Sequence, residues 1–196
     1  MAHYFENDEH LKSEEKETFV KINNIDFKFI TDNGVFSKKG LDFGTRTLLE
    51  TLEIDQIKGK ILDFGCGYGP IGIYISKMTS EEVHMIDINR RSLELARKNV
   101  NLNHVNVKIY ESNVYENVID EFDYIISNPP IRVGKEILYK ILFEAKDHLK
   151  QNGELWIVVN KNQGAKSLVK DLEKAYRVEV KNKNKGFYII QCIKEN

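Results

Sequence analysis

Apolar and polar positions alternate along this chain with two different periods, one typical of strands and one typical of helices. Residues 1–16 are polar and acidic and follow neither period, which predicts a flexible acidic tail. Residues 18–22 and 25–30 alternate apolar with polar positions around Asn23-Asn24, a pair that tolerates the positive φ of a tight turn. The pattern therefore predicts a β-hairpin, followed by a helix over about residues 42–52.

From Lys60 onward, short apolar runs alternate with longer amphipathic stretches. The runs with the length of strands are residues 60–64, 83–87, 107–110, 122–127, 154–159, 177–181 and 187–193. The stretches with helical spacing are about 70–77, 91–101, 135–150 and 165–174. Because strands and helices that alternate in this way are joined by right-handed crossovers, we expect an α/β fold. Its sheet should be doubly wound, seven-stranded and mainly parallel, of the Rossmann-like type.

The last two predicted strands depart from that rule. Only Lys183-Asn184-Lys185-Gly186 joins them, which is too short for a crossover, so they should form an antiparallel hairpin near one edge. We expect a tail over residues 1–16 and a single domain over 17–196. Within the domain, residues 17–59 would form an N-terminal hairpin and helix extension, and residues 60–196 the core.

Composition excludes several classes of protein. The 196 residues, 41% hydrophobic and 30% charged, suit one globular domain. The apolar runs are too short to cross a bilayer, and the amino terminus lacks the layout of a signal peptide. Cys66 and Cys192, the only cysteines, have neither metal-ligand nor disulfide-framework spacing. These features predict a cytoplasmic protein without a metal centre.

The formal net charge of −1 argues against nucleic-acid binding by the charge of the chain as a whole. Six acids and two lysines give residues 1–20 a net charge of −4, which leaves +3 on the remaining residues. Any contact with nucleic acid must therefore come from a local basic patch.

A glycine-rich loop follows the first core strand. It reads Asp63-Phe64-Gly65-Cys66-Gly67-Tyr68-Gly69-Pro70, and its glycines allow a sharp turn and a close approach to a ligand. Pro70 suits the first turn of the helix that follows. The segment Gly67-Tyr68-Gly69-Pro70-Ile71-Gly72 also matches the dinucleotide fingerprint G-x-G-x-x-G, so the glycines alone leave the ligand open.

Two acidic residues narrow the choice of ligand. Asp63, at the end of the first core strand, would repel a pyrophosphate but suits a ligand with a cationic amino-acid end. Asp87, at the end of the second, could accept hydrogen bonds from both hydroxyls of a ribose. This spacing favours S-adenosylmethionine over NAD. Asn113, after the third strand, could bind the adenine amino group or could be an ordinary turn residue.

The fourth core strand ends in Asn128-Pro129-Pro130-Ile131. Ligands of open α/β sheets bind beyond the carboxyl ends of the strands, so Asn128 should share an edge with the glycine loop and Asp87. The two prolines remove two backbone donors and leave carbonyls free to accept. An amino group there could donate to Asn128 Oδ1 and to the Pro129 carbonyl, which would turn its lone pair toward an electrophilic methyl. The alternative is a proline-stiffened loop without chemistry.

These motifs together resemble a class I S-adenosylmethionine-dependent methyltransferase. Asn128-Pro129-Pro130-Ile131 is similar to the pocket of methylases that act on amino groups of adenine, cytosine, guanine or glutamine, although most of these have an aromatic residue where this chain has Ile131. In that departure the chain resembles the small-subunit ribosomal RNA guanine-N2 methyltransferase family. Further segments similar to that family are Gly34-Val35-Phe36-Ser37, Asp42-Phe43-Gly44-Thr45, residues 153–156 and residues 163–165. The resemblance covers about residues 18–193.

The resemblance implies a set of site residues, with S-adenosylmethionine as cofactor and RNA, either ribosomal RNA or the small ribosomal subunit, as partner. The cofactor would be bound by Asp63, Gly65, Cys66, Gly67, Gly69, Asp87, Ile88, Asn113, Val114 and Asn128. The catalytic residues would be Asn128, Pro129 and Pro130. The substrate would be contacted by Phe36, Ile131, Arg132 and Lys135, with Phe36 covering the cofactor or the base.

Two departures from the family pattern bear on the substrate. Asn113 stands where such enzymes often have Asp, which keeps an acceptor and loses a charge. The larger bacterial relatives carry an additional amino-terminal copy of the domain, and this chain is expected to hold the catalytic copy alone. The RNA target is therefore open at this point.

Alternative functions remain open from the sequence. The weak net charge allows a protein glutamine or small-molecule N-methyltransferase, and the embedded G-x-G-x-x-G allows an NAD(P)-dependent oxidoreductase. A catalytically silent RNA-binding module could keep the same fold. Arg132 and Lys135 could contact a phosphate, and Lys181, Lys183 and Lys185 could extend a basic strip or lie in a solvated turn.

Overall fold

A computed structural model confirms the predicted α/β fold. The structure describes residues 13–33, 40–130 and 133–195. Their strands are β1 (Lys16–Ile22), β2 (Ile25–Thr31), β3 (Ile61–Phe64), β4 (Val83–Asp87), β5 (Lys108–Glu111), β6 (Phe122–Ser127), β7 (Leu149–Asn160), β8 (Arg177–Asn184) and β9 (Phe187–Ile193). Their α-helices are α1 (Phe43–Thr51), α2 (Pro70–Met78), α3 (Arg90–Asn103), α4 (Lys135–Glu144) and α5 (Ala165–Leu172).

Strands β3 to β9 form one seven-stranded sheet in the order β5-β4-β3-β6-β7-β9-β8. The first five strands in this order are parallel to one another, whereas β9 runs antiparallel to both β7 and β8. The predicted antiparallel hairpin at one edge is therefore confirmed. Among the described residues, no helix combines the length and the apolar character that crossing a bilayer requires.

The predicted N-terminal hairpin is also confirmed. Strands β1 and β2 pair in register around Asn23 and Asn24, whose φ angles of 46° and 65° are those of a tight turn. Of the tail predicted over residues 1–16, only residues 13–16 are described. Ser13 Oγ and the Glu14 N–H donate to the Asp32 carboxylate at 2.8 and 2.6 Å, and Lys16 already begins β1.

The helix predicted over residues 135–150 is wrong over its last six residues. Helix α4 ends at Glu144, residues Ala145–His148 form one 3-10 turn, and Leu149 begins β7. Leu149 is fully buried and pairs with Phe122 of β6, and Asn152 has a φ of 62°, which no helix continues. The contacts of Leu149 with β6 therefore override a helical spacing that is only local.

The core lies on both faces of the large sheet. Along β7, Trp156 and Val158 point to a cluster that contains the hairpin, α1, α2 and α3, whereas Leu155 and Ile157 point to a cluster that contains α4 and α5. This alternation follows from the period of two along a strand. Because both faces are covered, the polar ends of the strands are left at the two edges of the layer.

Two buried asparagines of α3 hold the hairpin on the core. Asn99 accepts from the Ile30 N–H at 2.6 Å and donates to the carbonyls of Ile30 and Tyr68, both at 2.9 Å. Asn103, one turn later, bonds the N–H and carbonyl of Lys28 at 3.2 and 2.7 Å. The two side chains thus continue the ladder of β2, whose free edge would otherwise hold unpaired peptide groups.

Candidate functional site

The candidate site lies at the carboxyl edge of β3, β4, β5 and β6. The chain runs from β3 outward through β4 to β5 and then returns to β6 on the other side of β3. Open α/β sheets bind ligands beyond the strand ends where the winding changes direction in this way. Ser127 Oγ donates to the Phe64 carbonyl at 2.8 Å and fixes the ends of β6 and β3 side by side.

The first half of the glycine loop is open on its ligand side. Gly65 and Gly67 have φ angles of 68° and 57°, and a Cβ built on either would meet no heavy atom within 4 Å. The loop is fixed by the Cys66 N–H, which donates to the Ile86 carbonyl at 2.8 Å, and by the Gly67 N–H, which donates to Asp87 Oδ2 at 2.9 Å. Gly65 and Gly67 thus form a cradle in which backbone atoms can contact a ligand directly.

The second half of the loop is packed tightly instead. A Cβ on Gly69 would lie 2.8 Å from Met85 Cε, and one on Gly72 would lie 2.6 Å from Met85 Cγ. Cys66 and Tyr68 are buried in the core, and the Tyr68 hydroxyl donates to the Gly40 carbonyl at 3.2 Å. The side chain of Tyr68 therefore packs inside the protein.

Asp63 is fully buried beneath the loop. Its Oδ2 accepts from the Gly72 N–H at 2.8 Å, and its Oδ1 has no hydrogen-bond partner among the described residues. Burial, with a smaller contribution from the Asp87 carboxylate, raises the pKa of Asp63 to about 8, against the opposing effect of the Gly72 hydrogen bond. A cationic partner at Oδ1 would favour the ionised carboxylate.

Asp87 ends β4 next to the cradle and is also buried. Its Oδ2 accepts from the Gly67 N–H and its Oδ1 from the Asn89 N–H, both at 2.9 Å. Burial raises the pKa of Asp87, although hydrogen bonds from the N–H groups of Asn89, Gly67 and Ile88 oppose the rise. The carboxylate is held rigidly at the position where a ribose was predicted.

Asn113 and Val114 follow β5 at the same edge. Asn113 is exposed, and its Nδ2 donates to Glu116 Oε1 at 2.8 Å, so its side-chain carbonyl is the acceptor that remains. Val114 has a φ of 51°, a left-handed conformation that costs a β-branched residue about 1–3 kcal/mol. Ser112 Oγ donates to the Val114 carbonyl at 2.9 Å and stabilises this turn.

The amide of Asn128 has a fixed orientation. Its Nδ2 donates to Asp42 Oδ2 and to Thr45 Oγ1, both at 2.9 Å. Because an ionised carboxylate only accepts hydrogen bonds, the NH₂ group must face Asp42, and Oδ1 points away from it. The Pro130 carbonyl accepts from the Val133 N–H at 3.1 Å, whereas no described residue donates to the Pro129 carbonyl.

The predicted substrate residues are only partly described. Phe36, Ile131 and Arg132 lie outside the described residues. Lys135 is the first residue of α4, is exposed, and has its Nζ 4.8 Å from the centroid of the Tyr139 ring. Its role in substrate binding stays a prediction.

Asp42 and Thr45 were not identified as functional residues from the sequence. Asp42 is the N-cap of α1, where its Oδ2 accepts from the Thr45 N–H at 2.8 Å and from the Thr45 hydroxyl at 3.1 Å. The spacing of an acid and a threonine three residues apart indicates a helix start. It carries no signal that both side chains also reach Asn128, which lies more than eighty residues later in the chain.

Comparison with known proteins places the chain among methyltransferases. The family model described as the methyltransferase small domain matches residues 26–191. A Bacillus subtilis protein, described as uncharacterized protein YbxB, is 44% identical over 197 residues, which cover 98% of both chains. Ribosomal RNA small subunit methyltransferase C of Haemophilus influenzae is 45% identical over 132 residues, 65% of this chain and 40% of that protein.

A solved structure has the same fold. The T. thermophilus 16S rRNA N2 methyltransferase RsmC, in complex with AdoMet and guanosine, superposes with a TM-score of 0.84 at 23% identity. The match covers 94% of this chain and 52% of that one. The chain thus spans about half or less of the length of the named ribosomal RNA methyltransferases that it matches.

Proposed function

This chain belongs to the methyltransferase small domain family, and we propose that it transfers a methyl group from S-adenosylmethionine to guanine N2 of small-subunit ribosomal RNA. The single observation that carries the proposal is the orientation of Asn128. With Nδ2 committed to Asp42 and Thr45, Oδ1 is available to accept one hydrogen of a target amine. The Pro129 carbonyl, which has no donor among the described residues, is available for the other.

The carboxyl edge fits the proposed cofactor. The cradle of Gly65 and Gly67 would pass over its methionine part, and the Asp63 carboxyl beneath the loop would favour its ammonium group. The Asp87 carboxylate would accept from the ribose hydroxyls, and the Asn113 carbonyl would accept from the adenine amino group. When bound, S-adenosylmethionine supplies an electrophilic methyl carbon on a positively charged sulfur.

The residues of this chain would act mainly by alignment. Two acceptors, Asn128 Oδ1 and the Pro129 carbonyl, hold both hydrogens of the amine and direct its lone pair toward the methyl carbon. In this arrangement the bound cofactor would supply the methyl carbon with its sulfur as the leaving group, while the two acceptors hold the amine until one of its protons leaves to solvent. Alignment of this kind can supply about 7–11 kcal/mol of the barrier.

The choice of substrate rests on two supports. Relatives from Haemophilus influenzae and Psychromonas ingrahamii, 45% and 32% identical to this chain, are named ribosomal RNA small subunit methyltransferase C. Ile131, in place of an aromatic residue, is the feature of the pocket sequence that resembles the guanine-N2 family. A ribosomal substrate goes with the predicted cytoplasmic location, which stays a prediction.

The test uses labelled S-adenosylmethionine with unmodified small ribosomal subunits and, separately, with naked small-subunit RNA. We expect label in N2-methylguanosine after digestion of the RNA, and loss of that label in Asn128→Ala at a concentration of S-adenosylmethionine that saturates the variant. Asn106→Ala, an exposed asparagine at the opposite edge of the sheet, is the matched control and should keep full activity. Full activity of Asn128→Ala, or label in protein and not in RNA, would overturn the proposal.

A further inference from the structure

The tip of the C-terminal hairpin lies at the same edge of the sheet as the candidate site. Because β9 runs antiparallel to β7, its first residue, Phe187, pairs with Asn160 at the carboxyl end of β7. The Lys161 N–H donates to the Gly186 carbonyl at 2.7 Å and joins the hairpin turn to the end of β7. The turn between β8 and β9 is thus held next to the strand ends.

Three lysines and three aromatic residues surround this turn, with Phe187 on the face of the sheet that carries α1 and Tyr188 on the face that carries α4 and α5. Lys185 Nζ lies 4.9 Å from the centroid of the Phe43 ring, and Lys183 Nζ lies 4.9 Å from that of Tyr188. The rings of Phe43 and Phe187 pack against each other with centroids 5.8 Å apart. The lysines are exposed and the aromatic rings half-buried. We call Phe43, Lys161, Lys183, Lys185, Phe187 and Tyr188 the hairpin-tip surface.

The lysines of the hairpin-tip surface differ from most others in how their charge is compensated. In the part of the chain that the structure describes, none of the three has a carboxylate within ion-pair distance. At the opposite edge, by contrast, Lys60 pairs with Asp120 at 3.3 Å and Lys150 with Asp123 at 2.7 Å. Lys181, which lies further from the turn on β8, pairs with Glu179 at 3.5 Å and is therefore not part of the surface.

One side of the hairpin-tip surface, formed by Phe43, Lys185 and Phe187, lies on the face of the sheet that carries α1 and is next to the candidate pocket. Phe43 directly follows Asp42, whose carboxylate is 2.9 Å from Asn128 Nδ2. A Cβ built on Gly44 would lie 2.8 Å from the ring of Phe187, so α1 and β9 approach as closely as a glycine allows. A polymer with one base at Asn128 would therefore reach Phe43 and Lys185 first, and Lys183 with Tyr188 only after it crosses the hairpin turn.

We infer that the hairpin-tip surface binds the single-stranded RNA that flanks the methylated base, an inference that rests on the proposed function. Uncompensated lysines attract phosphates, and half-exposed aromatic rings beside them offer faces for bases. An acidic peptide would satisfy the lysines and leave the rings without a role. Since the net charge of the chain is −1, attraction to RNA needs a local patch of this kind.

The test measures binding of a fluorescein-labelled single-stranded RNA oligonucleotide by the full chain over a range of salt concentrations. The variant Lys161→Ala/Lys183→Ala/Lys185→Ala should bind at least about tenfold more weakly, and its salt slope should fall by about 0.7 for each phosphate that the lysines no longer neutralise. In the methylation assay the variant should raise KM for RNA and leave kcat at saturating RNA and the affinity for S-adenosylmethionine unchanged.

The matched control is Lys58→Ala/Lys140→Ala/Lys174→Ala, which removes three lysines of 75, 57 and 72% exposure away from the site. It should bind RNA as the wild type does. Equally weakened binding in both variants, or equal binding of a labelled poly-glutamate peptide, would overturn the inference. If the wild type binds RNA but does not methylate it, the proposed reaction is wrong and the RNA-binding inference stands. If the hairpin-tip variant methylates RNA with an unchanged KM, the inference that this surface binds RNA is wrong and the proposed reaction stands.

Discussion

Asn128 obtains its orientation from Asp42 and Thr45, which lie on a different element. Asp42→Ser keeps a hydroxyl that can cap α1 but is too short to reach Asn128 Nδ2 at the distance Asp42 does. We expect kcat to fall by about ten- to a hundredfold, the effect of losing a hydrogen bond to a charged group, with KM nearly unchanged. Steady-state kinetics and a thermal melt check the variant.

The conservative variant distinguishes positioning from folding. Asp42→Asn keeps a side-chain oxygen in the same place, so it should restore most of the activity that Asp42→Ser loses. Both variants should melt close to the wild type, because Asn and Ser cap helices about as well as Asp. A wild-type kcat in Asp42→Ser would show that the hydrogen bond from Asp42 is not needed to orient the amide of Asn128.

Asp63 should make the stability of the free protein depend on pH. Its pKa is about 8 in the folded chain, against 3.8 for an ordinary aspartate, so between these values the folded state holds a proton that the unfolded state has lost. The stabilisation is therefore complete below the lower value and is lost as the pH rises toward the higher one. Urea unfolding at about pH 6 and about pH 9 should show a decrease in the free energy of unfolding.

The matched variant is Asp63→Asn, whose side-chain oxygen can still accept from the Gly72 N–H. Its decrease over the same range should be smaller, because the amide of Asn does not titrate. Identical pH dependence in the two proteins would assign the effect to other groups. Binding of a cation at Asp63 should also release a proton, because it favours the ionised carboxylate.

At the scale of elements, the packing of β2 on α3 depends on asparagine side chains that hydrogen-bond the peptide groups at the edge of β2, as a neighbouring strand would. Asn99→Ala would leave the N–H and the carbonyl of Ile30 and the carbonyl of Tyr68 without partners in a buried setting. We expect a loss of about 2–4 kcal/mol in the free energy of unfolding, measured in urea. Asn101→Ala, exposed on the same helix, should change it by less than about 0.5 kcal/mol. Equal losses of stability in the two variants would show that the hydrogen bonds from Asn99 to β2 do not stabilise the protein.

The glycines of the loop have two different roles, since some leave space for a ligand and others allow tight packing. Gly65 and Gly67 face open space, whereas Gly69 and Gly72 face Met85 at distances that exclude a Cβ. The embedded G-x-G-x-x-G is therefore in part a packing requirement of α2 against β4, which weakens its value as a sign of a dinucleotide.

At the scale of the whole molecule, the hairpin and the sheet share one core. Phe29 of β2 is fully buried and packs edge-on against Tyr68 of the glycine loop, with ring centroids 5.5 Å apart. Phe29→Ala should therefore cost about 3–5 kcal/mol of stability, measured by urea unfolding. Phe19→Ala, on the same hairpin but 75% exposed, should cost less than about 1 kcal/mol.

The shared core also predicts a single unfolding transition. Far-ultraviolet circular dichroism and the fluorescence of Trp156, which lies in the cluster containing the hairpin, should change at the same urea concentration. An earlier transition for Phe29→Ala in one probe alone would show that the hairpin unfolds independently of the sheet.

The sequence by itself determined the fold class, the number and order of the strands and the bounds of several of them. The alternation around Asn23-Asn24 and the bounds of β4, β6 and β9 agree with the structure, because a period of two reflects which side chains are buried on a sheet. The motifs also predicted which strand ends share an edge, because parallel strands place all their carboxyl ends together.

Only the tertiary structure decided the contacts between residues far apart in the chain. Leu149 leaves the predicted helix because Phe122 pairs with it, and Asn99 completes the edge of β2. Asp42 and Thr45 turn the amide of Asn128, and Phe43 meets Lys185. Local spacing encodes propensity and burial, whereas these contacts depend on how elements pack, which no periodicity records.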